Sequence, residues 1–287
     1  MDTGVGEHSR LELMVRVARL YYEENLNQAR IAQQLELSRP TVSRLLTEAR
    51  SRKLVEIKIR YPWRSDPSLE AELIRAFPLK DARVLAAGEL DDAETLAGVG
   101  VMGAQLVDIY LRDGMTLAIS RGTGVYAAVQ ALHPQPQLRI RMVQMQGALG
   151  DRVAYGSDVA YLLISRFSGD FHALNAPLLL ENSASTEMLM REPSIRDTLD
   201  LASRADVALV GIGSIEPEVS SLFRHHLMSR EELADLARQE VVGDIGGRFF
   251  GGDGEEAEIE LNHRLVSVSL EAIRRIPVVI GVASGLP

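Results

Sequence analysis

The chain has no cysteine. That absence excludes disulfide staples, thiolate nucleophiles and cysteine-ligated zinc or iron–sulfur sites together. No apolar run approaches the roughly 18 residues that span a bilayer, so no membrane partner is expected. The opening, MDTGVGEHSR, lacks the basic-then-apolar order of a signal peptide, and a cytoplasmic location follows as the expectation. No lysine follows Lys80, so the rest of the chain cannot form a lysine Schiff base. What is present is an ordinary globular balance, 46% hydrophobic and 25% charged. At roughly 100–200 residues per domain, a length of 287 residues suggests two domains.

The formal net charge is −9, and it is unevenly placed. Residues 1–62 carry eleven Lys/Arg against eight Asp/Glu, whereas residues 63–287 carry twenty against thirty-two. Within 27–60 the ratio is eight basic to three acidic. A small basic head on an acidic body implies that only the head approaches a polyanion.

The head reads as three helices. Residues 11–24 (LELMVRVARLYYEE) place Leu13, Val17, Leu20 and Met14, Ala18, Tyr21 on one broad apolar face. Asn27 caps a short second helix, Gln28–Leu35, that buries Ile31, Ala32 and Leu35. After the turn Glu36-Leu37, Ser38 is a strong N-cap for a third helix, with Pro40 in its first turn. That helix buries Val42, Leu45, Leu46 and Ala49. It shows Arg39, Thr41, Ser43, Arg44, Thr47 and Arg50 on its other side.

Two short helices joined tightly, the second exposing arginine and hydroxyl side chains near its start, form the pattern of a helix-turn-helix reader. Arginine contacts guanine bidentately in the major groove, and Thr and Ser reach base edges or phosphates. Arg44 with Thr41 and Ser43 is expected to read bases. Gln28, Arg30, Arg39 and Lys53 are expected to anchor the phosphate backbone. LVEIKIRY then alternates, with Val55, Ile57 and Ile59 on one side, as a wing strand does. A solvated charged face on a plain bundle would explain the charge alone. The caps, the tight turn, the basic face and the wing together favour operator DNA as partner.

Tyr61-Pro62-Trp63 ends the wing, and RSDPSLEAELIRAF reads as a linker and a helix starting near Pro67. Short apolar runs follow at Arg83–Ala87, Thr116–Ser120, Arg141–Met145, Val207–Val210, Val241–Ile245 and Val278–Val282. Helical patterns separate them, at Asp91–Leu111, Asp158–Phe167, Ile195–Ser203 and Arg230–Gln239. That alternation implies an α/β layered fold on a mainly parallel sheet, with ligands beyond the carboxyl ends of the strands. Turns at those ends are Ser120-Arg121-Gly122-Thr123-Gly124, Gln146-Gly147-Ala148-Leu149-Gly150, Gly211-Ile212-Gly213-Ser214 and Gly243-Asp244-Ile245-Gly246-Gly247-Arg248. The first leads into a helix and offers bare N–H groups and a hydroxyl to a phosphate. Asp244 is an acceptor for a sugar hydroxyl. Any one such turn is more often just a tight turn.

Three other patterns are set aside. Gly98-Val99-Gly100-Val101-Met102-Gly103 satisfies G-x-G-x-x-G but lies inside a helical pattern, so its glycines serve close helix packing rather than a dinucleotide. His225-His226 are adjacent and point apart on a helix, so no metal is assigned. Asp253-Gly254-Glu255-Glu256 lacks calcium-loop spacing. An enzyme of the sugar-phosphate isomerase or deaminase kind would need a positioned carboxylate base, for which Asp244 is the only strand-end candidate. No catalytic residue and no cofactor is assigned.

NQARIAQQLELSRPTVSRLLTEARSRKLVEIKI resembles the N-terminal domain of the SorC family of bacterial transcriptional regulators. ISRGTGV is similar to that family's phosphate loop, and VVGDIGGRFF and the segment NAPLLLENSASTEMLMREPSIRDTLDLASRADVALVGIGS resemble parts of its effector domain. The resemblance implies a winged helix-turn-helix domain over 1–62. It implies a NagB/ribose-phosphate-isomerase-like α/β effector and oligomerisation domain over 63–287. It further implies a phosphorylated sugar or polyol as effector, and a homo-oligomer, dimer or tetramer, on operator DNA. The implied effector-binding residues are Ser120, Arg121, Gly122, Thr123, Gly124, Gln146, Gly147, Gly211, Gly213 and Asp244. Two departures stand out: Arg121 replaces the family's usual Trp, and Gly251 its usual Asp. The ending GVASGLP is expected to be a truncation of a longer effector domain.

Overall fold

A computed structural model of the chain describes residues 3–55, 62–86, 88–133, 138–148, 155–224, 226 and 228–285. The chain divides into two compact units, Met1–Pro62 and Trp63–Pro287.

The first unit holds helices α1 (Thr3–Tyr22), α2 (Gln28–Gln34) and α3 (Arg39–Ser51). Side-chain caps set the two later starts. Asn27 accepts from the Arg30 N–H at 3.0 Å, and Ser38 accepts from the Thr41 N–H at 3.3 Å. Each such cap is worth about 1 kcal/mol. Glu36 between the helices adopts φ 54°. Met14, Val17, Leu20, Ile31, Val42, Leu45 and Leu46 close the core. Glu48 of α3 receives Arg10 of α1 at 2.7 Å and Arg52 at 2.8 Å, which ties α3 to α1. The expected wing strand lies, from residue 56 on, outside the described residues.

The second unit opens with α4 (Pro67–Ala76), capped by Asp66, and α5 (Asp92–Tyr110), started by an Asp91–Glu94 capping box. There follow β1 (Thr116–Ile119), α6 (Thr123–Ala131), β2 (Arg141–Gln144), α7 (Tyr155–Arg166) and β3 (Phe171–His172). Next come α8 (Ser183–Met190), α9 (Pro193–Ser203), β4 (Val207–Ser214), α10 (Ser221–Arg224) and α11 (Arg230–Arg238). The unit continues with β5 (Val241–Ile245), β6 (Arg248–Gly251), α12 (Glu260–His263), α13 (Leu270–Arg274) and β7 (Val278–Val282). Strands β3, β2, β1, β4 and β7 form a parallel sheet in that order.

Side chains leave alternate faces of this sheet. Leu117, Ile119, Met142 and Leu209 pack with Val107 of α5, Val129 of α6 and Leu163 of α7. Ala118, Val143, Ala208 and Val210 pack with Ile195 and Leu199 of α9 and Ile273 of α13. Burial on both faces is why these strands read as continuous apolar runs rather than alternating ones.

Two expectations need correction, and a third reading, of the glycine motif, holds. The expected strand Arg83–Ala87 does not form over its described residues, 83–86, among which only Leu85 makes an isolated bridge, to Ser65. Its side chain instead fills the space over Gly98. The Gly243–Arg248 stretch does not end a parallel strand. β4 runs on past the parallel sheet, and Ile212–Ser214 pair antiparallel with β5, which turns back into β6. Gly246 (φ 60°) and Gly247 (φ 83°) make the two-residue hairpin turn that positive φ at both positions requires. The glycine motif lies wholly within α5, with no strand before it. A Cβ on Gly100 would stand 2.6 Å from the carbonyl carbon of Ala127, so α5 crosses α6 backbone to backbone there.

Candidate functional site

In the first unit, Arg30, Arg39, Ser43, Arg44, Thr47, Arg50 and Lys53 are exposed. Among the described residues, Arg30, Arg39, Arg44, Arg50 and Lys53 make no ion pair. Their charge is therefore unspent within the unit, whereas Arg10 and Arg52 are committed to Glu48. Thr41 is half-buried and shares a 2.8 Å hydroxyl–hydroxyl bond with Ser38, so its hydroxyl serves the helix start. Gln28 is half-buried at the first position of α2. Lys53 follows the end of α3 with φ 57°. Ser43 and Arg44 stand one turn into α3, on the side away from Val42 and Leu45.

In the second unit, a cleft of about 210 Å³ opens where β1, β4 and β7 end. Arg121, Gly122, Thr123, Gly124, Gly211, Gly213 and Asp244 all line it. Gly122 is the N-cap of α6, has φ 143° and offers no side-chain cap. The N–H groups of Gly122, Thr123 and Gly124 make no hydrogen bond among the described residues. A helix start with free N–H groups facing a cleft attracts anions through both hydrogen bonding and the helix dipole. At Gly124 a Cβ would meet Val282 at 3.0 Å. Glycine therefore keeps the α6 start close to β7.

The remaining expected residues build the cleft without lining it. The Ser120 hydroxyl accepts from the Gly211 N–H at 3.0 Å and donates to the Arg121 carbonyl at 3.3 Å, pinning the β1 loop to β4. Gln146 is buried, and its Oε1 accepts from the Arg121 N–H at 3.3 Å. Gly147 is also buried; its N–H donates to the Val266 carbonyl at 2.9 Å, and the Pro177 backbone occupies the space of any Cβ. Gly147 thus packs against the chain rather than facing the cleft.

Asp244 supplies the cleft's acid. Its carboxylate fills the place a Cβ on Gly213 would take, and its Oδ2 accepts from the Gly247 N–H at 3.2 Å. Burial pushes this carboxyl up to about 6, against the opposing pull of the Gly247 N–H. A carboxylate poised this way accepts readily from a hydroxyl, which restores the solvation it has lost. Ile212 and Ser214, which lie in the expected β4 turn, also line the cleft, as do Val219, Ser284 and Gly285, on which the sequence placed no ligand contact. Ser284 and Gly285 follow β7 as Ser120 follows β1, so the strand-end rule applied to the last strand points to them.

Among the described residues no group of three or more acidic or histidine side chains is placed to hold a metal, and no helix is long and apolar enough to cross a membrane. His225 lies outside the described residues.

A helix-turn-helix head followed by an α/β body with a polar cleft at its strand ends is the architecture of a ligand-responsive transcriptional regulator. Residues 62–287 match the family of sugar-binding domains, and residues 16–52 match region 4 of sigma-70 factors. The chain is 30% identical over 270 residues to the deoxyribonucleoside regulator of Bacillus subtilis, covering 93% of this chain and 86% of that one. It is 33% identical over 277 residues to the transcriptional regulator LsrR of Klebsiella pneumoniae, covering 96% and 83%. It superposes on the crystal structure of the full-length sorbitol operon regulator SorC of Klebsiella pneumoniae with a TM-score of 0.71 at 30% identity, covering 96% and 89%. The chain belongs to the SorC family of transcriptional regulators, with a sugar-binding domain as its body.

Proposed function

We propose that this regulator binds operator DNA through α3 and takes a phosphorylated sugar or polyol into the cleft of its body, as a cytoplasmic homo-oligomer without catalytic turnover. The observation that carries the reading is the α6 start. Gly122, Thr123 and Gly124 turn free N–H groups into a cleft whose other side holds Asp244. An anion at one end and a hydroxyl donor at the other describe a phosphorylated polyol. Relatives named for sorbitol and for deoxyribonucleosides support an effector derived from a carbohydrate. Arg44 and Ser43 are assigned to base edges, with Gln28, Arg30, Arg39 and Lys53 on phosphates and Thr41 shaping the start of α3. Ligand binding shifts the equilibrium between subunit arrangements, and with it the spacing of the heads on two half-sites.

Thr123→Arg places a long side chain in the cleft at the α6 start. It should abolish thermal stabilisation of the full chain by sugar phosphates while the ligand-free protein still melts cooperatively. If no phosphorylated sugar or polyol raises the melting temperature of the unsubstituted chain, the effector assignment fails. The raised Asp244 carboxyl is the one feature that favours an isomerase-like enzyme instead. Steady turnover of a sugar phosphate, lost in Asp244→Asn, would establish that second reading.

A further inference from the structure

Arg121 occupies a position that the effector reading above does not fully use. It lines the 210 Å³ cleft, and it also lines a second cavity of about 520 Å³ that lies over the ends of β2 and β3. It is the residue the two cavities share with a formal charge. Among the described residues no acidic side chain lines the second cavity, whose polar side chains there are Gln144 and Asn175. Gln144 is already engaged, accepting from the Leu174 N–H at 3.0 Å. The Arg121 Nε is buried without a hydrogen-bond partner, and the side chain makes no ion pair among the described residues. Burial pulls its guanidinium below the ordinary range, and no acid among the described residues raises it again. Asp244 sits across the first cleft, yet it takes no part in that shift, nor Arg121 in the shift of Asp244. A partly buried guanidinium with no counter-charge among the described residues, and a buried Nε without a partner, is costly, and such groups persist where a ligand completes them.

We propose that Arg121 selects an effector carrying a second anionic group, seated where the two cavities meet, in preference to a sugar with a phosphate at one end only. The phosphate at the α6 start and the hydroxyl facing Asp244 then account for one end of the ligand, and the group at Arg121 for the other. The guanidinium fork matches either a carboxylate or a phosphate, so a sugar bisphosphate and a phosphorylated sugar acid share the required chemistry. This proposal rests on the effector reading.

The test titrates the full chain by calorimetry, at fixed ionic strength, with fructose 6-phosphate, fructose 1,6-bisphosphate and 6-phosphogluconate. At least one of the two doubly anionic probes should bind about tenfold or more tightly than fructose 6-phosphate, the lower range of a charge-assisted hydrogen bond. Which of the two prevails identifies the second group as phosphate or carboxylate. In Arg121→Met that ratio should fall towards one, and Arg121→Lys should restore part of it. The ligand-free Arg121→Met protein should melt no lower than the parent, since a buried unpaired charge has been removed. Should that variant fail to fold, Arg121→Gln takes its place, and the same fall of the ratio towards one is expected of it. A ratio near one in the parent, or a ratio unchanged in Arg121→Met, overturns the proposal while leaving the effector reading intact. Absence of binding by all three probes overturns the proposal, and the effector reading falls with it only if no other phosphorylated sugar or polyol raises the melting temperature.

Discussion

Replacing Asp244 with asparagine removes a charge from the cleft while preserving the shape of the side chain and the bond from Gly247. The carboxyl titrates at about 6 in the folded protein against an ordinary 3.8. At about 1.4 kcal/mol per pH unit, that gap is worth at most about 3 kcal/mol. Its sign follows from which state holds the proton. Between 3.8 and about 6 the folded form keeps a proton that the unfolded chain has released, so this group lowers stability as pH rises through that window. Below the window the group contributes no penalty, and above it the full penalty applies. Asparagine does not titrate. Urea denaturation of both proteins at pH 4, 5, 6 and 7.5 should therefore show the variant gaining on the parent with rising pH. The relative gain should reach about 1–3 kcal/mol by pH 7.5, with most of the change complete by pH 6.5. A difference that does not vary with pH would mean that water reaches the carboxylate freely. A parent that gains on the variant as pH rises would mean that a cation pairs with Asp244.

Three further substitutions probe other parts of the account. Arg44→Ala should cost about 1–3 kcal/mol at the operator and little on random DNA, measured by fluorescence anisotropy; equal loss on both would reduce Arg44 to a phosphate contact. Gly100→Val drives a side chain into the Ala127 backbone, where a Cβ would already lie at 2.6 Å. It should destabilise the body by about 1–3 kcal/mol in urea, and full stability would show that α5 and α6 do not meet there. The Arg248 guanidinium donates to the carbonyls of Asn262 and Ser267 at 2.7 Å, to that of Leu265 at 3.2 Å and to Glu256 at 3.2 Å. Arg248→Met strands these acceptors and should cost about 3–5 kcal/mol by the same assay, whereas a loss below 1 would show that solvent replaces the guanidinium.

Elements defined by short-range chemistry were legible in the sequence. Asn27, Ser38 and Asp91 announce helix starts because a cap is made within three residues of its donor. β1, β2, β4, β5 and β7 were visible as apolar runs bounded by glycine or polar residues. β3 has two residues and β6 four, too short to set up a period, and both exist through pairing with distant partners. Arg83–Ala87 has the composition of a strand, but Leu85 is spent on packing against α5 rather than on a ladder. The signal at Gly246-Gly247 was present, since paired glycines between apolar strands mark a hairpin. The alternation of strands and helices around it nevertheless makes β5 resemble one more parallel strand, and only its pairing with β4 and β6 shows the hairpin. Glycine and Asp244 marked loops that line the cleft, yet the sequence did not separate residues that face the cavity from Ser120, Gln146 and Gly147, which brace it. That distinction rests on contacts between residues as far apart as Ser120 and Gly211 or Gly147 and Val266, which no local pattern encodes.

The central claim couples a basic helix that reads DNA to a cleft that senses a metabolite. The most direct measurement is anisotropy of a labelled fragment from upstream of the protein's own coding region, titrated against a salt series with and without saturating sugar phosphate. The account predicts binding tighter than to a scrambled fragment, a steep loss of affinity with salt from released counterions, and a shift in operator affinity on adding ligand. Equal affinity for both fragments, or an operator affinity indifferent to every ligand that stabilises the body, would contradict it.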